Sequence, residues 1–270
     1  MSLVTTEWLE KNINEIKLLE CSWHMPSISR DPYEEFLKDH IKGSIYFDLE
    51  KYSDLETDLP HMLPSKHRWE NIVSGLGIKN NDLIIIYDNS DVLSACRCWY
   101  NFIYFGHDPK LVKILNGGFK KWKRENRKTT SELLKVSKSN YRAIETKYLV
   151  KNKQEIILNT DKEKFKVIDA RSKDRFEGKV AEPRANLKSG SIRNSICLPF
   201  KEVINEDNTF KTAEEISSIF LKIIDIKSDK VVFSCGSGIT ACVLALAYSI
   251  VNNKYLPVIY DGSWAEYGKI

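Results

Sequence analysis

The same order of signals runs through this chain twice. KLLECSW (17–23), HIKGSIYFDLE (40–50), GLGIKNNDLIIIYDN (75–89), CRCWYNFIYFG (96–106) and LVKILNGGFKKW (111–122) come first. FKVIDARS (165–172), SGSIRNSICLPF (189–200), DIKSDKVVFSCGSG (225–238), ITACVLALAYSIV (239–251) and LPVIYDGSWAEYG (256–268) then repeat the series. The match lies in the order of events more than in residue identity. A period of roughly 145 residues implies a duplicated domain, since solenoid repeats are far shorter. Within each copy, runs such as LIIIYD and VVFS are short, apolar and β-branched, as strands covered on both faces must be. Helical segments follow them at the spacing of βα crossovers. The fold class expected is therefore α/β, with two tandem domains, each a mainly parallel sheet flanked by helices. Residues 1–125 and 146–270 are the two domains, and the polar stretch 126–145 is the connection, with LLKV (133–136) able to pair with a sheet edge.

Composition excludes several classes of function. The 41 basic residues barely outnumber the 37 acidic ones and are scattered, so no nucleic-acid partner is expected, while a site for a small anion is compatible. No stretch is long and apolar enough to span a bilayer and no signal peptide is visible, so no membrane partner and a cytoplasmic location are expected. Six cysteines spread along a chain of 270 residues read as free thiols. Cys96 and Cys98 form a C-x-C pair, but no second pair completes a zinc site, so neither metal nor cofactor is expected.

The chemistry concentrates at VVFSCGSGITAC (231–242). A buried strand ends, Cys235 follows at once, and Gly236 and Gly238 bracket Ser237 before a helix that opens on Ile239 and Thr240. Two glycines let the backbone turn its N–H groups toward one centre, and the first helical turn adds more, which stabilises an anion at the sulfur. The plainer alternative is a buried core thiol beside an ordinary turn, and Cys242, inside the helix, fits that description. A cysteine phosphatase would need an arginine close to this loop to hold a dianion. Position 241 is alanine, and the neutral loop suits the smaller load of a persulfide better. The second copy also has a long, arginine-rich segment after its first strand, ARSKDRFEGKVAEPRANLKSGSI (170–192), where α/β proteins place ligand chemistry. The first copy has no cysteine after IYDN, so only one copy is expected to be catalytic.

HIKGSIYFDLE, HMLPS (61–65), FGH (105–107), NGGFKKW, DARS with RFEG, EPR, CGSGIT and DGSWAEYG fall in the order of a known family. The chain resembles the two-domain rhodanese superfamily, and within it the 3-mercaptopyruvate sulfurtransferases, whose loop has the neutral Cys-Gly-Ser-Gly form seen at 235–238. The resemblance implies an enzyme that moves sulfane sulfur from 3-mercaptopyruvate through a Cys235 persulfide to a thiol acceptor such as thioredoxin, or to cyanide, releasing pyruvate. It also implies a catalytically inactive N-terminal copy. Thiosulfate as donor and a noncatalytic sulfur-carrier or regulatory role are the alternatives. It assigns the substrate carboxylate and keto oxygen to Arg175 and Arg184, with Glu182 steadying Arg184. It further implies a relay of Ser237, His61 and an acid at Glu50, where the family usually has aspartate. Gly236, Ser237, Gly238, Ile239 and Thr240 form the loop that holds the persulfide. Arg171 and Asp48 are expected to support the structure, and Trp264 and Tyr267 to pack.

Overall fold

The computed structural model describes residues 2–252 and 256–270. In the first repeat, strands and helices alternate as β1 (Leu3–Val4), α1 (Thr6–Asn12), β2 (Lys17–Glu20), α2 (Pro32–Lys38), β3 (Ser44–Tyr46), α3 (Lys66–Gly75), β4 (Ile84–Tyr87), α4 (Ala95–Tyr104), β5 (Val112–Leu115) and α5 (Gly118–Arg124). The second repeat runs β6 (Val150–Lys151), α6 (Lys153–Lys162), β7 (Lys166–Asp169), α7 (Lys173–Phe176), β8 (Ile196–Cys197), α8 (Ala213–Leu221), β9 (Val231–Ser234), α9 (Thr240–Val251), β10 (Ile259–Tyr260) and α10 (Ser263–Tyr267). The sheet orders are β1-β5-β4-β2-β3 and β6-β10-β9-β7-β8, the same topology used twice, and every strand pairing is parallel.

The central strands β4 (IIIY) and β9 (VVFS) are mostly apolar, as strands covered by helices on both faces must be. All four residues of β4 and all four of β9 are buried. Helix α9 is apolar on every side, and Ala241–Tyr248 are all buried. The more amphipathic α8 starts at a capping box, in which Thr212 and Glu215 each satisfy the other's backbone N–H. Helix α6 starts the same way, with Asn152 and Glu155.

The chain divides into two compact units, and the division is not a single cut. The first unit comprises Met1–Leu55, Leu63–Thr146 and Glu206–Thr209, and the second comprises Glu56–Met62, Lys147–Asn205 and Phe210–Ile270. Residues 126–145, expected as a connection, pack along the first unit. Thr130 exchanges backbone hydrogen bonds with His40, and Tyr141 is buried with its ring stacked on His107. LLKV forms no strand, and Leu133 and Leu134 are exposed.

A capping side chain at an exposed helix start contributes about 1 kcal/mol. Thr212→Ala is therefore expected to lower the urea midpoint by that equivalent while sulfur transfer is unchanged. A loss of transfer would show that α8 does more than close the fold.

Candidate active site

Cys235 stands directly after β9, and its loop is fixed from the carbonyl side. Trp264 N–H donates to the Cys235 carbonyl and Ala265 N–H to the Gly236 carbonyl, both at 2.9 Å. Ser263 Oγ accepts the Cys235 N–H at 3.2 Å and donates to the Tyr260 carbonyl at 2.8 Å. With these groups engaged by α10, the amides of Gly236, Ser237, Ile239 and Thr240 make no protein hydrogen bond among the described residues. Gly238 has φ +77°, a left-handed conformation that glycine adopts at no steric cost. Helix α9 begins at Thr240 and adds the positive end of its dipole. Cys235 is 1% exposed, and Ser237 is also buried. Cys242 donates its S–H to the Gly238 carbonyl from inside α9, a packing role.

Gly236 does a second job. A methyl group there would lie 3.1 Å from Arg175 Nη2 and 3.9 Å from Arg184 Nη1, so two guanidinium groups approach the loop where a side chain would otherwise stand. Both come from the long segment after β7, which the sequence singles out for its arginines. Arg184 Nη2 also reaches Ser237 Oγ at 3.4 Å.

Beneath them lies a buried ion cluster. Arg171 donates through Nη2 to Asp169 at 2.7 Å, through Nη1 to Glu182 at 2.8 Å, and through Nη2 to the Gly190 carbonyl at 2.8 Å. Its guanidinium also lies over the Trp264 ring, 4.4 Å from the centroid. Burial works against this charge, but the hydrogen bonds and charges of Asp169 and Glu182 outweigh it and hold the guanidinium above its ordinary pKa. The second oxygen of Glu182 accepts from Arg175 Nη2 at 2.5 Å. The sequence pairs Glu182 with Arg184. The structure pairs it with Arg171 and Arg175 instead, because the strand-end arginine reaches across the turn. Within the cluster Arg171 and Arg175 are matched by Asp169 and Glu182, and Arg184 adds a further guanidinium beside Ser237.

His61 belongs to the second unit through the segment Glu56–Met62. It is buried, has φ +62°, and shares a 3.0 Å hydrogen bond between Nδ1 and Ser237 Oγ. A left-handed histidine costs free energy that its surroundings must supply, a pattern common at functional sites. Glu50 lies in the first unit, where its carboxylate accepts from Trp23 Nε1 at 2.7 Å. Asp48 accepts the Lys51 N–H at 3.0 Å and closes a local turn. The Ser263 hydroxyl, to which sequence analysis assigns no site role, positions the cysteine amide. A small residue three places after a strand end is too common a signal to have revealed that.

Strand register shows what the first repeat has at the same place. Glu20 faces Tyr87 as Asp169 faces Ser234, so the next residue, Asp88, corresponds to Cys235. The Asp88 carboxylate accepts from Ala95 N–H at 2.6 Å and Ser90 N–H at 3.2 Å, filling its own loop. Burial pushes its carboxyl up to about 6 against those hydrogen bonds.

The pattern of the rhodanese-like domain matches this chain twice, over residues 5–125 and 152–269. This chain belongs to the rhodanese-like family, as a tandem pair. It is 37% identical to thiosulfate/3-mercaptopyruvate sulfurtransferase 1 of Arabidopsis thaliana, over 98% of this chain and 75% of that relative. It is 34% identical to 3-mercaptopyruvate sulfurtransferase of Mus musculus, over 98% of this chain and 91% of that one. Among solved structures, the Escherichia coli 3-mercaptopyruvate sulfotransferase SseA superposes with a TM-score of 0.87 at 29% identity, covering 98% of this chain and all of that one (100%). The rhodanese-like chain is a sulfurtransferase that carries sulfane sulfur on a cysteine. Among the described residues, no helix is long and apolar enough to cross a membrane.

Removing Arg171 strands two buried carboxylates, for which about 3–5 kcal/mol is the usual cost. Arg171→Met is expected to destabilise the protein to that degree in urea. Arg175→Met, whose side chain is 20% exposed, should cost clearly less. Equal losses would mean that Arg171 is not the structural centre of the cluster.

Proposed function

We propose that this chain takes sulfur from 3-mercaptopyruvate, carries it as a persulfide on Cys235, and passes it to a thiol acceptor, releasing pyruvate. The observation that carries this reading is the pair of arginines set against a neutral amide loop at Gly236. A guanidinium fork matches a carboxylate beside a keto oxygen, and uncharged amides suffice for a monoanionic persulfide. The first repeat, with Asp88 in place of the cysteine, is the noncatalytic copy.

In this scheme the Cys235 thiolate attacks the sulfur of 3-mercaptopyruvate held by Arg175 and Arg184. The new bond is Sγ–S. The C–S bond breaks, and its electron pair leaves as the enolate of pyruvate, which then takes a proton at carbon. Ser237, hydrogen-bonded to His61, is the group that delivers the proton or donates to the enolate oxygen. The amides of the 236–240 loop hold the persulfide until an acceptor thiol attacks its outer sulfur. Thioredoxin supplies such a thiol, and cyanide substitutes for it in an assay. Six free cysteines suit a reducing compartment such as the cytoplasm.

Intact mass and pyruvate release, followed together after 3-mercaptopyruvate is added, test this reaction. Wild type should gain the mass of one sulfur, about 32 Da, lose it to added thiol and release pyruvate in step, while Cys235→Ser should do none of these. Mass gain from thiosulfate alone would replace the donor and leave the nucleophile standing. Arg184→Met is expected to lower kcat/KM for 3-mercaptopyruvate by roughly 30- to 1000-fold, the equivalent of about 2–4 kcal/mol of lost charged contact.

The resemblance adds Glu50 to the relay. Glu50→Gln should slow pyruvate release from 3-mercaptopyruvate if the carboxylate serves the relay. An unchanged rate would take Glu50 out of the relay.

A further inference from the structure

Where the second repeat has Arg171 the first has Ser22, both buried, and the difference leaves a carboxylate in the first without the cation it has in the second. Glu20 pairs with Tyr46 and Tyr87 as Asp169 pairs with Cys197 and Ser234. The following amides agree as well: Cys21 N–H donates to the Tyr87 carbonyl and Ala170 N–H to the Ser234 carbonyl, each at 2.8 Å. Glu20 therefore corresponds to Asp169, and Ser22 to Arg171. Where Asp169 meets a guanidinium, Glu20 has hydrogen bonds from Ser22, whose hydroxyl donates to Oε1, and among the described residues Glu20 Oε2 has no hydrogen-bond partner although the residue is 4% exposed. A buried acceptor left in that state is costly to the fold.

Beside this carboxylate is a cavity of about 170 Å³. Its wall includes Glu20, Asn89 and the rings of Phe36, Tyr87 and Phe119. A carboxylate among aromatic faces is the combination that recognises organic cations, through charge and ring quadrupoles together. The other acids on the wall are already engaged. Glu35 holds Arg30 Nη2 at 2.6 Å and Asn89 at 2.9 Å, and Asp39 holds Lys123 at 2.7 Å. Lys38, the remaining cation on the wall, is exposed.

We propose that this cavity binds a small organic monocation of the guanidinium class, with Glu20 serving it as Asp169 serves Arg171. The cation is a free small molecule, and the site is separate from the sulfur-carrying loop of the second repeat. Burial raises the Glu20 carboxyl to about 8, and the nearby Asp88 and Glu35 charges add to the rise against the Ser22 hydrogen bonds. Below that pH a cation must displace a proton, so binding strengthens as pH rises to about 8 and levels off above it. Asp88, Glu35, Tyr87, Asp39, Lys38 and Lys123 are the other titratable groups around it. Asp88 titrates near 6 and is already ionised over most of this window.

Thermal unfolding of the full chain at pH 8.5 with millimolar methylguanidinium tests the proposal, with urea and sodium chloride as neutral and ionic controls. At about tenfold excess over Kd, Tm should rise by roughly 2–4 °C with methylguanidinium only. The rise should shrink at pH 6.5 and vanish in Glu20→Gln, while sulfur loading of Cys235 is unchanged. Ser22→Arg supplies the guanidinium covalently. It should raise Tm by itself and abolish the response. A wild type that does not respond, a Glu20→Gln protein that responds as wild type does, or a destabilised Ser22→Arg protein that still responds overturns the proposal. Should Glu20→Gln fail to fold, the Ser22→Arg pair of measurements decides alone.

Discussion

The contacts of one buried guanidinium organise the second repeat. Arg171 binds Asp169 at the end of β7, Glu182 in the long segment that follows, and the ring of Trp264 in α10. Each partner then places something that matters. Glu182 holds Arg175 beside Gly236, and the Trp264 amide holds the Cys235 carbonyl. A planar group with five donors is suited to such a junction, and a lysine could not make the same set of bonds. The cost of burying the charge is offset because every contact is a charge-assisted hydrogen bond or a ring face.

This junction lets the site divide its labour between two kinds of positive potential. Neutral amides and a helix terminus follow Cys235, and in the proposed reaction too much charge there would hold the persulfide too tightly for an acceptor to take it. The guanidinium groups stand one residue away, at Gly236, and in the proposed reaction they take the carboxylate of the donor. In the first repeat the same loop is satisfied from within by Asp88. Duplication thus kept the scaffold and changed the occupant.

The sequence made the architecture legible because it is written in short-range signals. Buried strands, covered on both faces, read as VVFS and LIIIYD, and the glycines around Ser237 mark the loop without any partner being known. Arg175 and Arg184 were legible through motif and composition. What sequence could not carry is contact across space. Arg171 reads as a structural support near the strand end, but nothing local in the sequence shows that it is almost wholly buried or which residues it joins. Glu182 is two residues from Arg184 but bonds elsewhere, since backbone direction after β7, not adjacency, sets its reach. The assignment of Glu56–Met62 to the second unit likewise depends on tertiary packing that no local pattern encodes.

The claim on which the rest depends is that the loop amides, and not a side-chain cation, hold the transferred sulfur. A crystal structure of the protein after reaction with 3-mercaptopyruvate measures this directly. The account expects a second sulfur on Cys235 Sγ, within hydrogen-bonding reach of N–H groups from the 236–240 loop, at about 3.2–3.7 Å for a sulfur acceptor. Sulfur on another cysteine, or an outer sulfur turned toward Arg175 or Arg184 and away from those amides, would contradict it.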